Sequence, residues 1–220
     1  MDCDRIARPY RWIEYAAFGR KLERHRFHFL PETRNSRNAL LLGDGDGRFA
    51  AALARINSHV RIDCIELSAC MIQVAKERLQ TEQVSAPERI QFTRADALCA
   101  KLPPVHYDLI VTNFFLDCFS TTQTLVLIGT VRAACCPGAH WIISDFQRPF
   151  SGWRALYAEV WLRTMYLFFR LVTGLKTNRL PAYRAAMQSA GFVLQSSHRS
   201  MAGLICSELW TLTEQHSNGS

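Results

Sequence analysis

The order of apolar runs and helical patterns constrains this chain more than any other feature of its sequence. Five short apolar runs, residues 39–42, 62–66, 90–92, 107–111 and 141–145, alternate with helical patterns such as 49–56 and 122–134. Parallel strands need crossover connections, which are usually helices. The alternation therefore predicts an α/β fold with a parallel sheet and helices on both faces.

The two ends of the chain have different patterns. Residues 181–190 predict a helix that ends at Gly191, and two strands, 192–198 and 204–212, follow with a short link between them. A short link between strands is typical of a hairpin, so the sheet is expected to end with an antiparallel pair. Residues 10–30 predict a helical region, and we assign 1–37 to an N-terminal helical cap and 38–220 to the main domain.

Composition excludes several classes of protein. The chain is 49% hydrophobic and 20% charged, which is ordinary for a globular protein and not for a disordered or fibrous one. It contains no uninterrupted apolar run of about 20 residues, and its start lacks the apolar segment of a secretory signal. Eight cysteines without metal-site spacing predict reduced thiols in a cytoplasmic protein. The net charge of +7 permits an anionic partner but does not require one.

A glycine-rich turn joins the first predicted strand to the first helix. Its sequence is Gly43-Asp44-Gly45-Asp46-Gly47, which allows a tight turn and close approach of a ligand. The two aspartates would repel a pyrophosphate but would tolerate a sulfonium or an ammonium group. The third glycine is also one residue too close for the dinucleotide-binding fingerprint. Both observations argue against a nicotinamide or flavin cofactor.

Two further strand ends carry groups that suit a nucleoside. Glu66 ends the second strand and can accept hydrogen bonds from a ribose diol, and Asp96 follows the third strand and can accept an adenine amino proton. Met71, on the next helix, can lie against an adenine face, although such a methionine is more often part of a core. The carboxyl ends of parallel strands share one edge of a sheet, so these groups are expected to converge there.

These residues together resemble the class I S-adenosylmethionine-dependent methyltransferases. The resemblance runs from about residue 38 to 212 and includes Glu66-Leu67-Ser68 with Met71, Ala95-Asp96-Ala97 and the closing strand pair. It implies a Rossmann-like, seven-stranded, mostly parallel sheet of order 3-2-1-4-5-7-6, with strand 7 antiparallel. It also implies S-adenosylmethionine as cofactor, held by Gly43, Asp44, Gly45, Glu66, Leu67, Met71, Asp96, Ala97 and Asn113. Residues 137–149 resemble the ubiquinone/menaquinone C-methyltransferase branch.

One position departs from the family pattern. Leu41 stands where the family usually has an acidic residue that organises the methionine end of the cofactor. Asp44 or Asp46 is expected to substitute for it.

The catalytic group is less certain from the sequence. Asp117 and Asp145 are candidate bases or substrate-orienting groups, and a structural hydrogen bond is an equal alternative for each. His140 is a poorer candidate because it enters a predicted strand. The histidines lack metal-site spacing, so no metal is expected.

An aromatic helical segment spans residues 150–180. We predict that it is a cap over the substrate, with Tyr15, Phe115, Trp153, Tyr157 and Trp161 contacting the acceptor. A packing helix or dimer face, and peripheral membrane contact, are the alternatives.

The predicted function is methyl transfer from S-adenosylmethionine to an apolar or aromatic small molecule. One alternative is an RNA-binding or RNA-modifying methyltransferase, which the charge of +7 suggests. Against nucleic acid as a partner, the segment after the fourth strand lacks the (Asp/Asn)-Pro-Pro-aromatic loop of many base methyltransferases. The other alternative is a non-catalytic protein that binds S-adenosylmethionine, which Leu41 suggests. The methylated atom and the oligomeric state stay open.

Overall fold

A seven-stranded sheet of order β3-β2-β1-β4-β5-β7-β6 forms the centre of the molecule. The computed structural model describes residues 21–147 and 183–213, apart from the side chain of Ala202. Strands β1 to β5 are parallel, and β7 is antiparallel to both of its neighbours. The fold predicted from the sequence is confirmed. The strands are β1 Asn38–Leu42, β2 Arg61–Glu66, β3 Ile90–Arg94, β4 Tyr107–Asn113, β5 Cys135–Phe146, β6 Phe192–Ser200 and β7 Ile205–Leu212.

Helices cover both faces of this sheet. The α-helices of the described residues are α1 Lys21–Arg26, α2 Arg48–Ile56, α3 Ala69–Thr81, α4 Thr121–Ala134 and α5 Tyr183–Ser189. Short 3-10 turns occur at Leu30–Thr33, Pro87–Arg89, Leu116–Cys118 and Met201–Gly203. Ser68 caps α3 by accepting a hydrogen bond from the Met71 amide (3.2 Å), as its position in the sequence predicted.

Strand β1 shows why both faces must be covered. Leu40 and Leu42 belong to the apolar layer that contains the buried residues of α4 and α5. Ala39 and Leu41 point to the opposite layer, which contains Phe49 of α2. Successive side chains of a strand point to opposite faces, so a strand that is apolar throughout is stable only between two layers.

Strand β5 begins earlier than its sequence suggests. Pro137 and Gly138 were expected to follow the end of a helix and to precede a strand over 141–145, but both lie inside β5. Tyr107 pairs with Cys135 and Leu109 with His140, so residues 136–139 stand opposite a single residue of β4. This bulge accommodates a proline, which cannot donate to the ladder, and a glycine at φ +75°.

Helix α1 is anchored to the sheet through His25. The His25 ring lies within hydrogen-bond distance of Ser207 Oγ (2.8 Å) and Ser200 Oγ (2.6 Å). The backbone carbonyl oxygen of His25 accepts from Ser144 Oγ (3.1 Å). Burial lowers the pKa of His25 to about 4, so the ring is neutral at pH 7. The predicted helical region 10–30 ends at Arg26 within the described residues, ahead of Pro31.

Parts of the predicted caps lie outside the described residues. These parts are residues 1–20 of the N-terminal cap and all of the aromatic segment from 150 to 180. The domain boundaries at residue 37 and around 150–180 therefore stay predictions.

We expect Gly47→Ala to lower the free energy of unfolding by about 1–3 kcal/mol more than Gly138→Ala. Both glycines have φ +75°, so both variants bear the same left-handed backbone cost. A Cβ at Gly47 would lie 2.9 Å from the Cα of Ala75 in α3, whereas one at Gly138 meets nothing within 4 Å. Urea unfolding of the two variants measures the difference, and equal losses would show that the contact between α2 and α3 relaxes freely.

Candidate functional site

The loops that follow the parallel strands are bonded to one another at one edge of the sheet. The Gly43 amide donates to the Ile65 carbonyl (2.9 Å), and the Ala95 amide donates to the Glu66 carbonyl (3.2 Å). On the other side of β1, the Phe114 amide donates to the Ser144 carbonyl (2.6 Å). The groups predicted at separate strand ends therefore share one edge, as the sequence indicated.

The conformation of the glycine turn depends on the absence of a side chain at each of its three glycines. Gly43, Gly45 and Gly47 all have positive φ, between +65° and +75°. A Cβ at Gly43 would overlap the ring of Phe115, and one at Gly45 would lie 3.4 Å from the methyl carbon, Cε, of Met71. Phe115 and Met71 thus both lie against the turn.

Glu66 joins this turn to the end of β2. Its Oε2 accepts from the Gly45 amide (3.3 Å), and its Oε1 accepts from the Ser68 amide (3.0 Å). Burial raises the pKa of Glu66 above its ordinary value. Each carboxylate oxygen has a second lone pair, so both oxygens retain the capacity to accept a bond from a ligand.

Asp44 and Asp46 lie in different environments although only one residue separates them. Asp46 pairs with Arg48 (2.8 Å) and with Arg78 of α3 (2.7 Å), so its charge is neutralised within the protein. Asp44 is 6% exposed, its Oδ2 accepts from the Ala50 amide (3.0 Å), and burial raises its pKa to about 7. Of the two candidates to replace an acid at Leu41, Asp44 alone has capacity left.

Two buried oxygen atoms at this edge lack a hydrogen-bond donor. They are Oδ1 of Asp44 and Oδ1 of Asn113, the last residue of β4, which is 5% exposed. Buried acceptors in proteins are almost always paired, so two orphans on adjacent strand ends indicate a missing donor. A cationic N–H group fits that requirement, because one of the two acceptors is a carboxylate.

The predicted adenine contacts differ in accessibility. Leu67 is 57% exposed, and Asp96 is exposed with its Oδ1 accepting from the Leu98 amide (2.9 Å). Both side chains are open to a ligand. The Ala97 side chain is only 7% exposed and belongs to the core, so any contact it makes with a ligand runs through its backbone.

Asp117, in the 3-10 turn that follows β4, and Asp145, the second-last residue of β5, form an acidic pair. The Asp117 amide donates to Oδ2 of Asp145 (3.2 Å), and the Phe146 amide donates to its Oδ1 (2.8 Å). Burial raises the pKa of Asp117 to about 6. Burial, with the charge of Asp117 as a second cause, raises the pKa of Asp145 well above its ordinary value. Two neighbouring buried carboxylates favour a state in which the pair holds one proton rather than two negative charges.

A family model described as a methyltransferase domain matches residues 40–141. This part of the chain matches a methyltransferase domain, and the fold of the sheet is that of the class I S-adenosylmethionine-dependent methyltransferases. The match covers the glycine turn, Glu66, Asp96, Asn113 and Asp117, and the observed strand order is the one this family implies. S-adenosylmethionine is the cofactor of the methyltransferase family, as predicted, and the two orphaned acceptors fit its cationic amino group.

Relatives of the methyltransferase domain include a curated protein and several solved structures. The dual O-methyltransferase/FAD-dependent monooxygenase of Cercospora beticola is 26% identical over 155 residues, which span 68% of this chain and 17% of that protein. An O-methyltransferase family protein from Burkholderia thailandensis has a TM-score of 0.67 at 16% identity, and the match covers 96% of this chain and 63% of that protein. The N-methyltransferase NodS from Bradyrhizobium japonicum, solved with S-adenosylhomocysteine, has a TM-score of 0.61 at 18% identity. This match covers 88% of this chain and 89% of NodS.

The sequence also led to predictions about substrate contacts, His140, metal binding and membrane helices. Tyr15, Trp153, Tyr157 and Trp161 lie outside the described residues. His140 lies in β5 with its Nδ1 3.0 Å from Thr211 Oγ1, which is a structural position. Residues 21–147 and 183–213 contain no group of three potential metal ligands. Within the same ranges no helix has the length and apolarity needed to cross a membrane.

The sequence analysis missed two polar features near the site. Arg26 was not singled out within the predicted helical region 10–30, yet it is 5% exposed. Glu208 of β7 is fully buried and accepts bonds from Trp210 Nε1 (2.9 Å), Tyr183 Oη (3.1 Å) and Arg184. Nothing in the strand pattern distinguishes Glu208, because two of its partners, Tyr183 and Arg184, come from α5.

We expect Glu66→Ala to weaken binding of S-adenosylhomocysteine by ~1–3 kcal/mol, the scale for losing charge-assisted hydrogen bonds. The variant removes both carboxylate oxygens, which are the predicted acceptors for the ribose hydroxyls, and releases the Gly45 amide. Isothermal titration calorimetry measures the dissociation constant, and Glu77→Ala, on the exposed face of α3, is the matched control. An unchanged dissociation constant in Glu66→Ala would remove Glu66 from the site.

The affinity for S-adenosylhomocysteine is expected to rise with pH until about pH 7 and then to level off. Asp44 has a raised pKa of about 7 in the free protein, and a bound ammonium group favours its ionised form. Binding below pH 7 therefore releases a proton. Titrations between pH 5.5 and 8.5 test this, with Asp44→Asn expected to bind more weakly and with a flatter pH dependence. The same pH dependence in both proteins would contradict this role for Asp44.

Proposed function

We propose that this protein transfers the methyl group of S-adenosylmethionine to a hydroxyl oxygen of an apolar or aromatic small molecule. The acidic pair Asp117–Asp145 is the observation that carries the proposal. Oxygen as the methylated atom is supported by the names of two relatives, one a dual O-methyltransferase/FAD-dependent monooxygenase and the other an O-methyltransferase family protein. The chain spans only 17% of the first of these, so the proposal concerns the activity of the domain.

The cofactor is proposed to bind along the shared edge of the strands. Glu66 accepts from the ribose hydroxyls, while Asp44 and Asn113 accept from the amino group of the methionine moiety. Gly43 and Gly45 allow the close approach of the ligand to the turn. The adenine ring is held by Leu67, Met71, Asp96 and the backbone of Ala97.

Asp117 is proposed as the general base. S-adenosylmethionine supplies, when bound, an electrophilic methyl group on a sulfonium. The hydroxyl of the acceptor is a weak nucleophile while it keeps its proton, and Asp117, ionised above about pH 6, would accept that proton as the new oxygen–carbon bond forms. The carbon–sulfur bond would break in the same step, with its electron pair left on sulfur, so that neutral S-adenosylhomocysteine is the leaving group. Asp145 stays protonated, which avoids two negative charges side by side, and the proton on Asp117 then passes to solvent.

The acceptor is proposed to lie beneath an aromatic cover. Phe115, which packs edge to face on Phe119 (5.0 Å), represents this surface among the described residues. Tyr15, Trp153, Tyr157 and Trp161 are proposed to complete it, in the caps formed by residues 1–37 and 150–180. An apolar or aromatic acceptor fits side chains of this kind.

The RNA-modifying alternative and the non-catalytic alternative receive less support. The three relatives reported above are described as O- and N-methyltransferases, and none of the three descriptions mentions nucleic acid. The acidic pair offers a candidate base, which supports catalysis over a purely binding role. A small-molecule acceptor is thus the proposed partner.

We expect transfer of a labelled methyl group to a phenol or another hydroxylated aromatic compound, and a loss of about 10²–10⁴-fold in kcat in Asp117→Asn. The assay uses S-adenosylmethionine with an isotopic methyl label against a panel of phenols, aliphatic alcohols, amines, thiols and RNA. In the wild type kcat should rise with pH through about 6 as Asp117 ionises.

Glu77→Gln is the control for this assay, and the affinity of Asp117→Asn for S-adenosylhomocysteine reports an intact cofactor site. Transfer to RNA or to amines alone would contradict the proposal. Full activity in Asp117→Asn would remove Asp117 as the base.

A further inference from the structure

We propose that Arg184 sets the protonation of the acidic pair Asp117–Asp145 by cancelling the charge of the buried Glu208 beside it. This inference rests on the proposed function, in which Asp117 is the general base, and adds to it a positioning residue that acts through Glu208. Arg184 and Glu208 both lie beyond the matched methyltransferase region, residues 40–141. Neither has a place among the contacts proposed above for the cofactor or the acceptor.

Glu208 lies on the same face of the sheet as Asp145. In the antiparallel pairing of β5 with β7, Asp145 stands opposite Cys206, and Glu208 is two residues further along β7. Side chains two residues apart on a strand share a face, so Asp145 and Glu208 are diagonal neighbours, which are typically about 7–8 Å apart. Their residues are 2% and 0% exposed, so water screens little of the interaction between the two carboxyl groups.

Cys206 connects the acidic pair to the ion pair of Glu208 with Arg184. Its Sγ lies 3.6 Å from Glu208 Oε1 and 3.9 Å from Arg184 Nη2, and the residue faces Asp145 across the ladder. Burial, followed by the charges of Glu208 and Asp145, raises the pKa of Tyr183 well above its ordinary value. The acidic pair and the ion pair therefore belong to one continuous buried cluster.

The donors around Glu208 favour its charged form. Its Oε2 accepts from Tyr183 Oη (3.1 Å) and Trp210 Nε1 (2.9 Å). Its Oε1 accepts from Gln147 Nε2 (3.3 Å) and from Arg184. Hydrogen bonds to a carboxylate stabilise the ionised state. Among the groups of the described residues that donate to Glu208, only Arg184 is charged, so its loss would leave a buried negative charge beside the acidic pair.

Arg184 uses one nitrogen of its guanidinium for this contact. Nη2 donates both to Glu208 and to Gln147 Oε1 (3.1 Å), whereas Nε is buried and has no acceptor among the described residues. The charge therefore acts here through a single donor atom and not through the two-pronged fork of an arginine. A lysine, which carries the same charge on one nitrogen, is expected to replace it.

Other charged or titratable groups near the acidic pair come from several elements. Cys118 is next to Asp117, with its Sγ 3.6 Å from Asp117 Oδ1. Burial, followed by the charges of Asp117 and Asp145, raises the pKa of the Cys118 thiol. The remaining groups are Glu66 of β2, which acts on Cys118, Tyr183 and Arg184 of α5, Cys206 and Glu208 of β7, and Arg199 of β6, which acts on Cys206. Arg199 is exposed on the edge strand, so Arg184 is the cation of this set that is bonded to a buried acid.

The test measures the protonation of the acidic pair directly, by NMR of protein labelled with ¹³C at the aspartate carboxyl carbons. Asp117→Asn and Asp145→Asn assign the two signals. Arg184→Gln should raise the apparent pKa of the pair by about 1–2 units, the effect of a unit charge about 7–8 Å away at an effective dielectric constant of about 20. Glu208→Gln should lower it, and by less, because the remaining guanidinium is partly exposed. The double variant Arg184→Gln/Glu208→Gln should titrate as the wild type does.

Two further variants serve as controls. Arg184→Lys should titrate close to the wild type, since it keeps the charge. Arg61→Gln removes an exposed arginine at the start of β2, at the opposite edge of the sheet, and should leave the pair unchanged. In an active enzyme, the pH at which kcat rises should move with the pair in each variant, whereas a merely structural role for Arg184 would lower kcat without moving that pH.

An unchanged titration of the pair in Arg184→Gln would overturn the inference, and so would shifts of the same sign in Arg184→Gln and Glu208→Gln. Opposite shifts that cancel in the double variant would support it, whether or not methyl transfer is observed. Opposite shifts that the pH profile of kcat does not follow would overturn Asp117 as the general base. Absence of methyl transfer by the wild type would overturn the proposed function itself.

Discussion

The parallel pairing of β1 with β2 and with β4 is the constraint on which the site depends. It brings the end of each strand to the same edge, where short backbone bonds such as Gly43 to Ile65 (2.9 Å) tie the loops together. Residues separated by tens of positions in the chain become neighbours through this pairing alone. Gly43 and Gly47 allow this arrangement of the strand ends, because a side chain at Gly43 would clash with Phe115 and one at Gly47 would clash with Ala75.

Burial gives the carboxylates at this edge different properties. Asp46 is neutralised by two arginines, whereas Glu66 accepts only backbone amides and Asp44 keeps an unpaired oxygen. A buried carboxylate without a cationic partner has a raised pKa, as Asp44, Glu66 and Asp145 do. Such groups cost stability in the free protein above their ordinary pKa, and a cationic ligand offsets that cost. Under the proposed function, this cost to stability and the affinity for the cofactor have the same physical origin.

Much of the fold and part of the site followed from the sequence. The strand order, the closing antiparallel pair and the cap at Ser68 are confirmed, and Glu66 lies beside Gly45 as its spacing suggested. The predicted start of β5 was wrong because Pro137 and Gly138 lie in a bulge inside the strand. A bulge depends on the pairing with the partner strand, which the sequence of β5 alone does not show. Residues Arg26 and Glu208 were missed because their importance lies in contacts with distant elements.

The sequence by itself determined the layers and the polarity of the sheet. Alternating apolar runs and helical patterns allow few arrangements once connections must be right-handed and each strand must be covered on both sides. Only the tertiary structure decided which of the neighbouring acids is free to bind a cation and which is neutralised. That distinction depends on the positions of Arg26, Arg48 and Arg78 in the folded protein. The sequence does not show which arginine will lie beside which carboxylate, whether the two are adjacent or remote in the chain. Burial, which sets the pKa values, is likewise a property of the packed layers and not of any local pattern.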